Sequence, residues 1–572
     1  MHPDEQRDSG HLRELILRHA ATNPQKLFEE LEVARRRIRT LEAAGAGDRS
    51  TIRILKARVQ DLAAEKAAHA TADVAAPLDG ELATSGDTVP DGSLDTESTT
   101  PSPEAADPVA PAATDDLLEA LRAEPSAERL DEALTRLWTD EGQITRAASL
   151  VREFPQLVSE LSSRRQQIAD RILGTEALVQ SLPALVPSRS RGAAYTAEQG
   201  RVLYCAYSTP MFHSNGYSMR TEGVVSGLKA AGVDVTVLAR AGYPWDITTV
   251  RPKPRRRRHV ETLHGVEWVH LPEGHSSNLA PDVYINVAAD AVVREATRRR
   301  PSLIHAASNY LNALPALMAA RRLGLPFVYE VRGLWEVTEA SVRPGWEATE
   351  RYAHQAGMEA FVAQEADAVL AITEEIKTEL VRRGVPEEKI SLLPNAVNTN
   401  DFLPLPKDHG YAKARGIRTD VPVIGFAGSL VAYEGLLTLL QAANILRGRK
   451  VDFQVVIAGS GGVYRDLKNY QVRNKLKSRV KFVGRRPSQE IPRLMSSVDI
   501  VACPRLSLPV TEMVSPLKPL EAFSASKPVV LSDVSPHRVL VGAPPGVRRR
   551  PARAVEPRGR PQVVGRCAAK ID

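Results

Sequence analysis

Residues 515–521 read Ser-Pro-Leu-Lys-Pro-Leu-Glu. Ser515 is a helix-capping residue type, and Pro516 suits a first helical position, where an N–H has no acceptor to lose. Pro519 is tolerable only within that same first turn. The spacing predicts a helix that begins at Ser515–Leu517 and turns free N–H groups and the positive end of its dipole outward, an arrangement suited to phosphate. Lys518 adds a cation there and Glu521 a carboxylate; the same residues also describe an ordinary capped helix with a solvated glutamate. A second candidate is Gly428-Ser429-Leu430-Val431-Ala432-Tyr433-Glu434-Gly435, a glycine-bounded passage from strand to helix. Its Glu434 reads either as a ligand-facing carboxylate or as an acid in a first helical turn. His213-Ser214-Asn215-Gly216 follows an apolar strand, and Gly216 permits close approach of a ligand to the backbone. His305 ends another strand, as a catalytic residue or a packed histidine. Arg332 and Glu336 follow a third strand, as ligand contacts or as partners in ion pairs.

These residues are positioned by alternating short strands and helices. Strands are expected at Val202–Tyr207, Val235–Ala239, Ser302–Ala307, Phe327–Val331, Ala368–Ile372 and Ile390–Leu393, with a hairpin at Val260–Leu271 about His264-Gly265. Helices are expected at Tyr217–Ala231, Tyr310–Leu323, Trp346–Glu365 and from Thr373 to Gly384. After a connector at Pro394–Val421 a second series follows, with strands Val423–Ala427, Phe453–Ala458, Val480–Val483, Ile500–Ala502 and Val529–Ser532. Helices at about 436–447, 464–475, 489–497 and 517–526 lie between them. Such alternation implies two parallel-sheet units in series, with a ligand crevice between their carboxyl-terminal strand edges. Earlier in the chain, heptad-like spacing over 12–66 predicts a coiled-coil region at 1–70 that self-associates or packs on its own chain. Residues 71–114 hold nine acids and no Lys or Arg and read as a disordered acidic linker. Helical spacing resumes over 115–195.

The length of 572 residues accommodates roughly three to five domains. The net charge of +6 equals the excess carried by residues 541–572 alone, so the rest is balanced and does not read as a nucleic-acid-binding body. Three widely spaced cysteines, Cys205, Cys503 and Cys567, give neither a disulfide framework nor a close zinc-ligand cluster. No run reads as a membrane span or signal peptide, so the expected location is cytoplasmic. The basic run 251–258 reads as a solvated loop or as a peripheral contact with anionic membrane at the inner face.

Seven segments occur in order: HSNGYSMRTEGVVSGLKAAG from 213, YEVRGLWE from 329, ADAVLAITEEI from 366, LLPNAVNTNDF from 392, GFAGSLVAYEGL from 425, VDIVACPR from 498 and SPLKPLEAFSASKPVVLSDV from 515. Together they resemble the family-4 retaining glycosyltransferases of the GT-B fold, over about 200–540. The resemblance implies an α/β fold of two Rossmann-like domains: an acceptor-side domain at 196–394, a connector at 395–421 and a nucleotide-sugar-side domain at 422–540. It implies that Glu521 holds the donor ribose and Ser515, Pro516 and Leu517 its phosphates. Gly216 and Gly428 would line the donor, the loop 213–216 would lie over the donor phosphates and the acceptor, and Arg332 and Glu336 would line the acceptor side. His305 takes a tentative catalytic place, with Ala307 where relatives carry a second histidine.

Two departures from the family pattern stand out. The carboxylate expected to touch the donor sugar falls on Met513, with Glu512 one position off. The cations common at the positions of Ser429 and Glu434 are missing, and Lys518, Arg485 and Arg486 are the candidate replacements. The implied activity is hexosyl transfer from a UDP- or GDP-sugar co-substrate to a glycan or lipid-linked acceptor, with retention and without a metal or other cofactor. A nucleotide-sugar epimerase and a non-catalytic scaffold are the alternatives. Beyond Val534 the β-α pattern stops, and 541–572 reads as a disordered basic tail of a truncated second domain.

Overall fold

The computed structural model describes residues 111–190, 195–247, 250, 252–274 and 278–542. The coiled-coil reading of 1–70, the linker up to residue 110 and the tail from 543 lie outside the described residues.

The first described body is helical: Pro111–Ala123, Ala127–Leu134, a π-helical turn Thr135–Asp140, Ile144–Glu153, Pro155–Glu160 and Ser163–Leu185. Ser126 and Ser162 cap two of these helices by accepting from the N–H groups of Arg129 and Arg165. Leu121, Leu130, Leu137, Ala147 and Ile172 share one core. The first helix starts at Pro111, so the linker expected through residue 114 ends earlier. Proline suits a first helical position, and Thr114 is already buried and donates to Glu141.

This body docks on the first α/β domain. Gly174 meets the start of helix Pro281–Arg299 so closely that an added Cβ would lie 2.6 Å from the Ala280 Cβ and 2.3 Å from Asp282 Oδ1. Beside it, the Arg351 guanidinium stands 4.7 Å from the Trp138 ring and 5.2 Å from that of Trp346, and Arg343 caps Trp346 at 3.6 Å. Thr145 N–H donates to Glu350 at 2.7 Å.

The first α/β domain is an eight-stranded sheet in the order β3-β4-β2-β1-β5-β6-β7-β8. The strands are β1 Arg201–Ala206, β2 Asp234–Ala239, β3 His259–Leu263, β4 Val266–His270, β5 Leu303–Ala307, β6 Phe327–Val331, β7 Ala368–Ala371 and β8 Ile390–Leu392. All pairs are parallel except β3 with β4, the expected hairpin, whose turn places His264 and Gly265 at φ 52° and 71°. The nearly continuous apolar strands suit a sheet covered on both faces. Helix Pro281–Arg299, absent from the sequence expectations, supplies Tyr284, Ile285, Ala289 and Ala296 to the core. The helix expected over Trp346–Glu365 is broken. Thr349 is extended and caps Glu350–Glu365, leaving a short 3-10 turn at Trp346–Ala348.

The second α/β domain holds five parallel strands in the order β11-β10-β9-β12-β13: β9 Val423–Ala427, β10 Gln454–Ala458, β11 Val480–Gly484, β12 Ile500–Cys503 and β13 Val529–Leu531. Three short helices lie outside the sequence expectations. His409–Arg415 sits within the connector, Pro509–Met513 precedes the loop before helix Lys518–Ser524, and Ser535–Leu540 continues the pattern past Val534. Each is five to seven residues long, too short to show a helical period in sequence.

Gly174→Ala tests the docking. In an exposed helix this change stabilises by about 1 kcal/mol. Here the clash with Ala280 and Asp282 opposes it at ~1–3 kcal/mol. The expected outcome is a net loss of stability and faster proteolysis within 111–190, read by urea denaturation and limited digestion.

Candidate active site

In each sheet the chain leaves the first strand in opposite directions at one point, between β1 and β5 and between β9 and β12. Such a switch point opens a crevice at the carboxyl edge. In the first domain that edge is organised around Glu330, at the end of β6 and fully buried. Arg220 Nε donates to it at 2.7 Å and Arg332 Nε at 2.9 Å; Tyr204 OH also donates, and His305 Nε2 stands 3.3 Å away. Burial works to raise the Glu330 carboxyl, but Arg332, His305 and Arg220 hold it well below the usual range. Arg332 further donates to Tyr217 O at 2.9 Å and Thr221 Oγ1 at 2.7 Å, so its guanidinium is used inside the domain. Glu336 is buried too and accepts from Arg383 at 2.7 Å. His305 packs its ring 4.5 Å from that of Tyr204. Thus three residues singled out in sequence, His305, Arg332 and Glu336, belong to buried polar clusters behind the edge.

Gly216 opens helix Gly216–Ala230 and is exposed, and an added Cβ there would meet nothing within 4 Å. Asn215 and Ser218 form a reciprocal capping box that fixes the helix start. His213 Nδ1 lies 3.2 Å from Tyr243 OH. In the basic run, Lys253 donates to Trp245 O and Arg258 pairs with Glu295, while Arg255, Arg256 and Arg257 are exposed.

In the second domain Ser515 is not the cap. Helix Lys518–Ser524 begins after Leu517, and Pro519 falls in its first turn, where proline costs no hydrogen bond. The preceding loop is fixed through its carbonyls. Thr373 Oγ1 donates to Met513 O at 2.6 Å, Arg505 Nη1 to Val514 O at 2.7 Å, and Asn395 Nδ2 to Ser515 O at 2.6 Å. Arg220 in turn donates to Leu393 O, Pro394 O and Asn395 Oδ1. The loop at 513–515 is therefore tied, through Asn395, to the buried cluster of the first domain.

Glu434 lies at the β9/β12 switch point and is 3% exposed. One oxygen, Oε1, receives Lys518 Nζ at 2.8 Å and Arg505 Nη2 at 3.1 Å. The carboxylate expected to repel a diphosphate is thus held between two cations. Gly435 makes this possible, because an added Cβ there would lie 2.0 Å from Pro504 O, immediately before Arg505. Gly428 does the same for Lys518, whose stem crosses where its Cβ would sit, 2.2 Å from Cε. Burial acts to raise the Glu434 carboxyl, but Lys518 and then Arg505 hold it down at about 2. Ser429 is exposed beside them. Glu521, half-buried, accepts no hydrogen bond through its carboxylate among the described residues, and burial pushes its carboxyl up against the pull of Lys518. Glu512 accepts from Ser507 Oγ at 2.6 Å and Ser535 N–H at 2.7 Å, so its carboxylate is taken within the domain. Arg486 lies 4.0 Å from Glu490, and Arg485 is exposed.

Sequence reading missed Arg505 and Asn395. Arg505 ends VDIVACPR and Asn395 lies in LLPNAVNTNDF, and the available signal was a polar residue just past a strand's carboxyl end. Among the described residues no group of three or more His, Cys, Asp or Glu gathers as for a metal, and no helix is long and apolar enough to cross a membrane.

Residues 215–396 match the family model of a glycosyl transferase 4-like domain, and residues 421–551 that of glycosyl transferases group 1. An uncharacterized glycosyltransferase of Methanocaldococcus jannaschii is 26% identical over 181 residues, 31% of this chain and 45% of the relative. The 2-deoxystreptamine glucosyltransferase of Streptomyces kanamyceticus is 26% identical over 192 residues, 33% and 49%. The chain thus spans about half the length of these two curated relatives. Among solved structures, a sucrose-phosphate synthase from Thermosynechococcus elongatus superimposes with a TM-score of 0.48 at 18% identity, covering 60% of this chain and 83% of that one.

Glu434→Gln tests the cation-held carboxylate. With the folded carboxyl near 2 and the unfolded one near 4.5, its contribution is complete above pH 4.5 and is lost as pH falls toward 2. The variant is expected to lose ~3 kcal/mol at pH 7. The difference from the parent should shrink between pH 4.5 and pH 3 in urea titrations.

Proposed function

We propose that this chain, which belongs to the family-4-like glycosyltransferases of the GT-B fold, moves a hexose from a UDP- or GDP-sugar to a hydroxyl of a glycan or lipid-linked acceptor, with retention of configuration. The observation that carries the reading is that Lys518 and Glu521 stand three residues apart at the start of one helix at the carboxyl edge of the second sheet. Glu521 offers a carboxylate without a protein donor, suited to the two vicinal hydroxyls of a ribose. Lys518, three residues earlier, stands where a diphosphate would follow. The resemblance in sequence assigns Ser515, Pro516, Leu517, Gly428 and Ser429 to the donor, and the contact of Gly428 with the Lys518 stem supports that reading.

In the proposed reaction the bond from sugar C1 to the β-phosphate oxygen breaks, and its electron pair stays on that oxygen. The acceptor oxygen bonds C1 on the same face, and its proton passes to the departing phosphate. Charge accumulates on the diphosphate, so cations fixed beforehand do most of the catalytic work. The first domain supplies the acceptor side through the loop 213–216, where Gly216 leaves open space. His305, Arg332 and Glu336 then act as the framework beneath that side, and no base on the enzyme is required. A lipid-linked acceptor fits the exposed Arg255–Arg257, which would meet anionic headgroups at roughly 1 kcal/mol per residue.

The test is release of free UDP or GDP from the matching sugar nucleotide in the presence of acceptor, together with calorimetric titration of UDP and GDP. Glu521→Ala is expected to weaken diphosphate binding by ~1.5–3 kcal/mol, the worth of a hydrogen bond to a charged group. Unchanged affinity in a folded variant would remove Glu521 from the site.

A further inference from the structure

The charges at the edge of the second domain pose an electrostatic problem. Lys518, in the first turn of its helix, keeps its side chain 20% exposed, and its Nζ lies 2.8 Å from the buried Glu434. Glu521 is a second carboxylate on the same helix. One lysine against two carboxylates leaves this edge net negative, which repels a diphosphate. Arg505 changes that sum. It follows β12 across the switch point, its side chain is 8% exposed, and Nη2 donates to the same Glu434 oxygen that holds Lys518. Nη1 is anchored on Val514 O. His537, buried against the same cluster, is kept neutral by its burial and adds no charge.

We infer that Arg505 is the residue that makes a diphosphate site possible here: it offsets the charge of Glu434, which positions Lys518, and so brings this edge from net negative to balanced, leaving the lysine able to meet the donor diphosphate. Arg505 does not touch the donor in this account. It is a positioning residue that acts through Glu434. Glu434 in turn holds Lys518 Nζ over the site, and the missing Cβ of Gly428 gives the lysine stem its path. The cations expected at the positions of Ser429 and Glu434 are thereby replaced from two other elements, the loop after β12 and helix Lys518–Ser524. The inference deepens the reading of this edge as the donor side and rests on it.

The experiment compares the intact chain with Arg505→Gln, Arg505→Lys and the double variant Arg505→Gln/Glu434→Gln. UDP and GDP are titrated by calorimetry, and uridine and guanosine by ligand-observed NMR as phosphate-free controls. Arg505→Gln is expected to weaken diphosphate binding about tenfold or more, because Lys518 alone then faces both Glu434 and Glu521 and the edge is left net negative. Nucleoside binding should be unmoved. The double variant removes both charges, restores the balance, and should recover affinity to within about threefold of the parent. A residue that merely supports the fold would show no such rescue. Arg505→Lys keeps the cation and is expected to stay within about threefold as well.

Equal diphosphate affinity of parent and Arg505→Gln overturns the inference, as does a double variant no better than the single one. A tenfold loss in Arg505→Lys would overturn the charge account in favour of the guanidinium's geometry. If Arg505→Gln does not fold, the Arg505→Lys and double-variant results decide by the same thresholds. A parent chain that binds neither UDP nor GDP overturns the donor-site reading itself, a result separable from every variant comparison.

Discussion

A carboxylate shut away from water has to be surrounded by donors, and Glu330 imposes that requirement on the whole first domain. Leaving such a charge unpaired costs several kcal/mol. The partners it gathers come from β1, β5, helix Gly216–Ala230 and the loop after β6: Tyr204, His305, Arg220 and Arg332. Each brings its element to a fixed height at the carboxyl edge. Arg220 then has donors left over and spends them on three acceptors of the chain leaving β8, at residues 393–395. The start of the connector is thus set by the same charge that sets the strand ends.

The second domain repeats the arithmetic with a different outcome. Glu434, like Glu330, is one carboxylate held by two cations near the carboxyl edge of a sheet: Glu434 at the β9/β12 switch point, Glu330 on β6, one strand from the β1/β5 switch point. Around Glu330 both guanidiniums are sealed in, so the cluster serves the framework. Around Glu434 one partner is a lysine at the rim, so part of the field reaches the crevice. Three successive carbonyls ahead of that lysine's helix are gripped by Thr373, Arg505 and Asn395, two of them from outside the second domain proper. The loop at 513–515 is consequently a joint product of both domains.

Much of this was legible in sequence because strands between helices announce themselves through apolar runs, glycine stops and capping residues. The hairpin at His264-Gly265, the parallel order and the Thr373 cap follow from such local chemistry. What was illegible depended on distance. Arg332 and Glu336 look like ligand contacts until Glu330 and Arg383 are brought beside them. Glu434 looks repulsive until Arg505, seventy-one residues later, closes on it. Ser515 looks like a cap, yet its carbonyl is held by Asn395 and the helix starts after Leu517. Short helices such as Pro509–Met513 escape because fewer than two turns carry no period.

The seam between the helical body and the first α/β domain carries its own optical label. Of the five tryptophans in the chain, Trp138 belongs to the helical body and Trp346 to the α/β domain, and the guanidinium of Arg351 lies between them. Indole emission responds to the charge and the water around the ring. Separation of the two bodies would pull Arg351 from at least one indole and wet both. The chain's intrinsic fluorescence therefore reports on this seam without any attached dye, over the emission of Trp245, Trp335 and the fully buried Trp268 of β4.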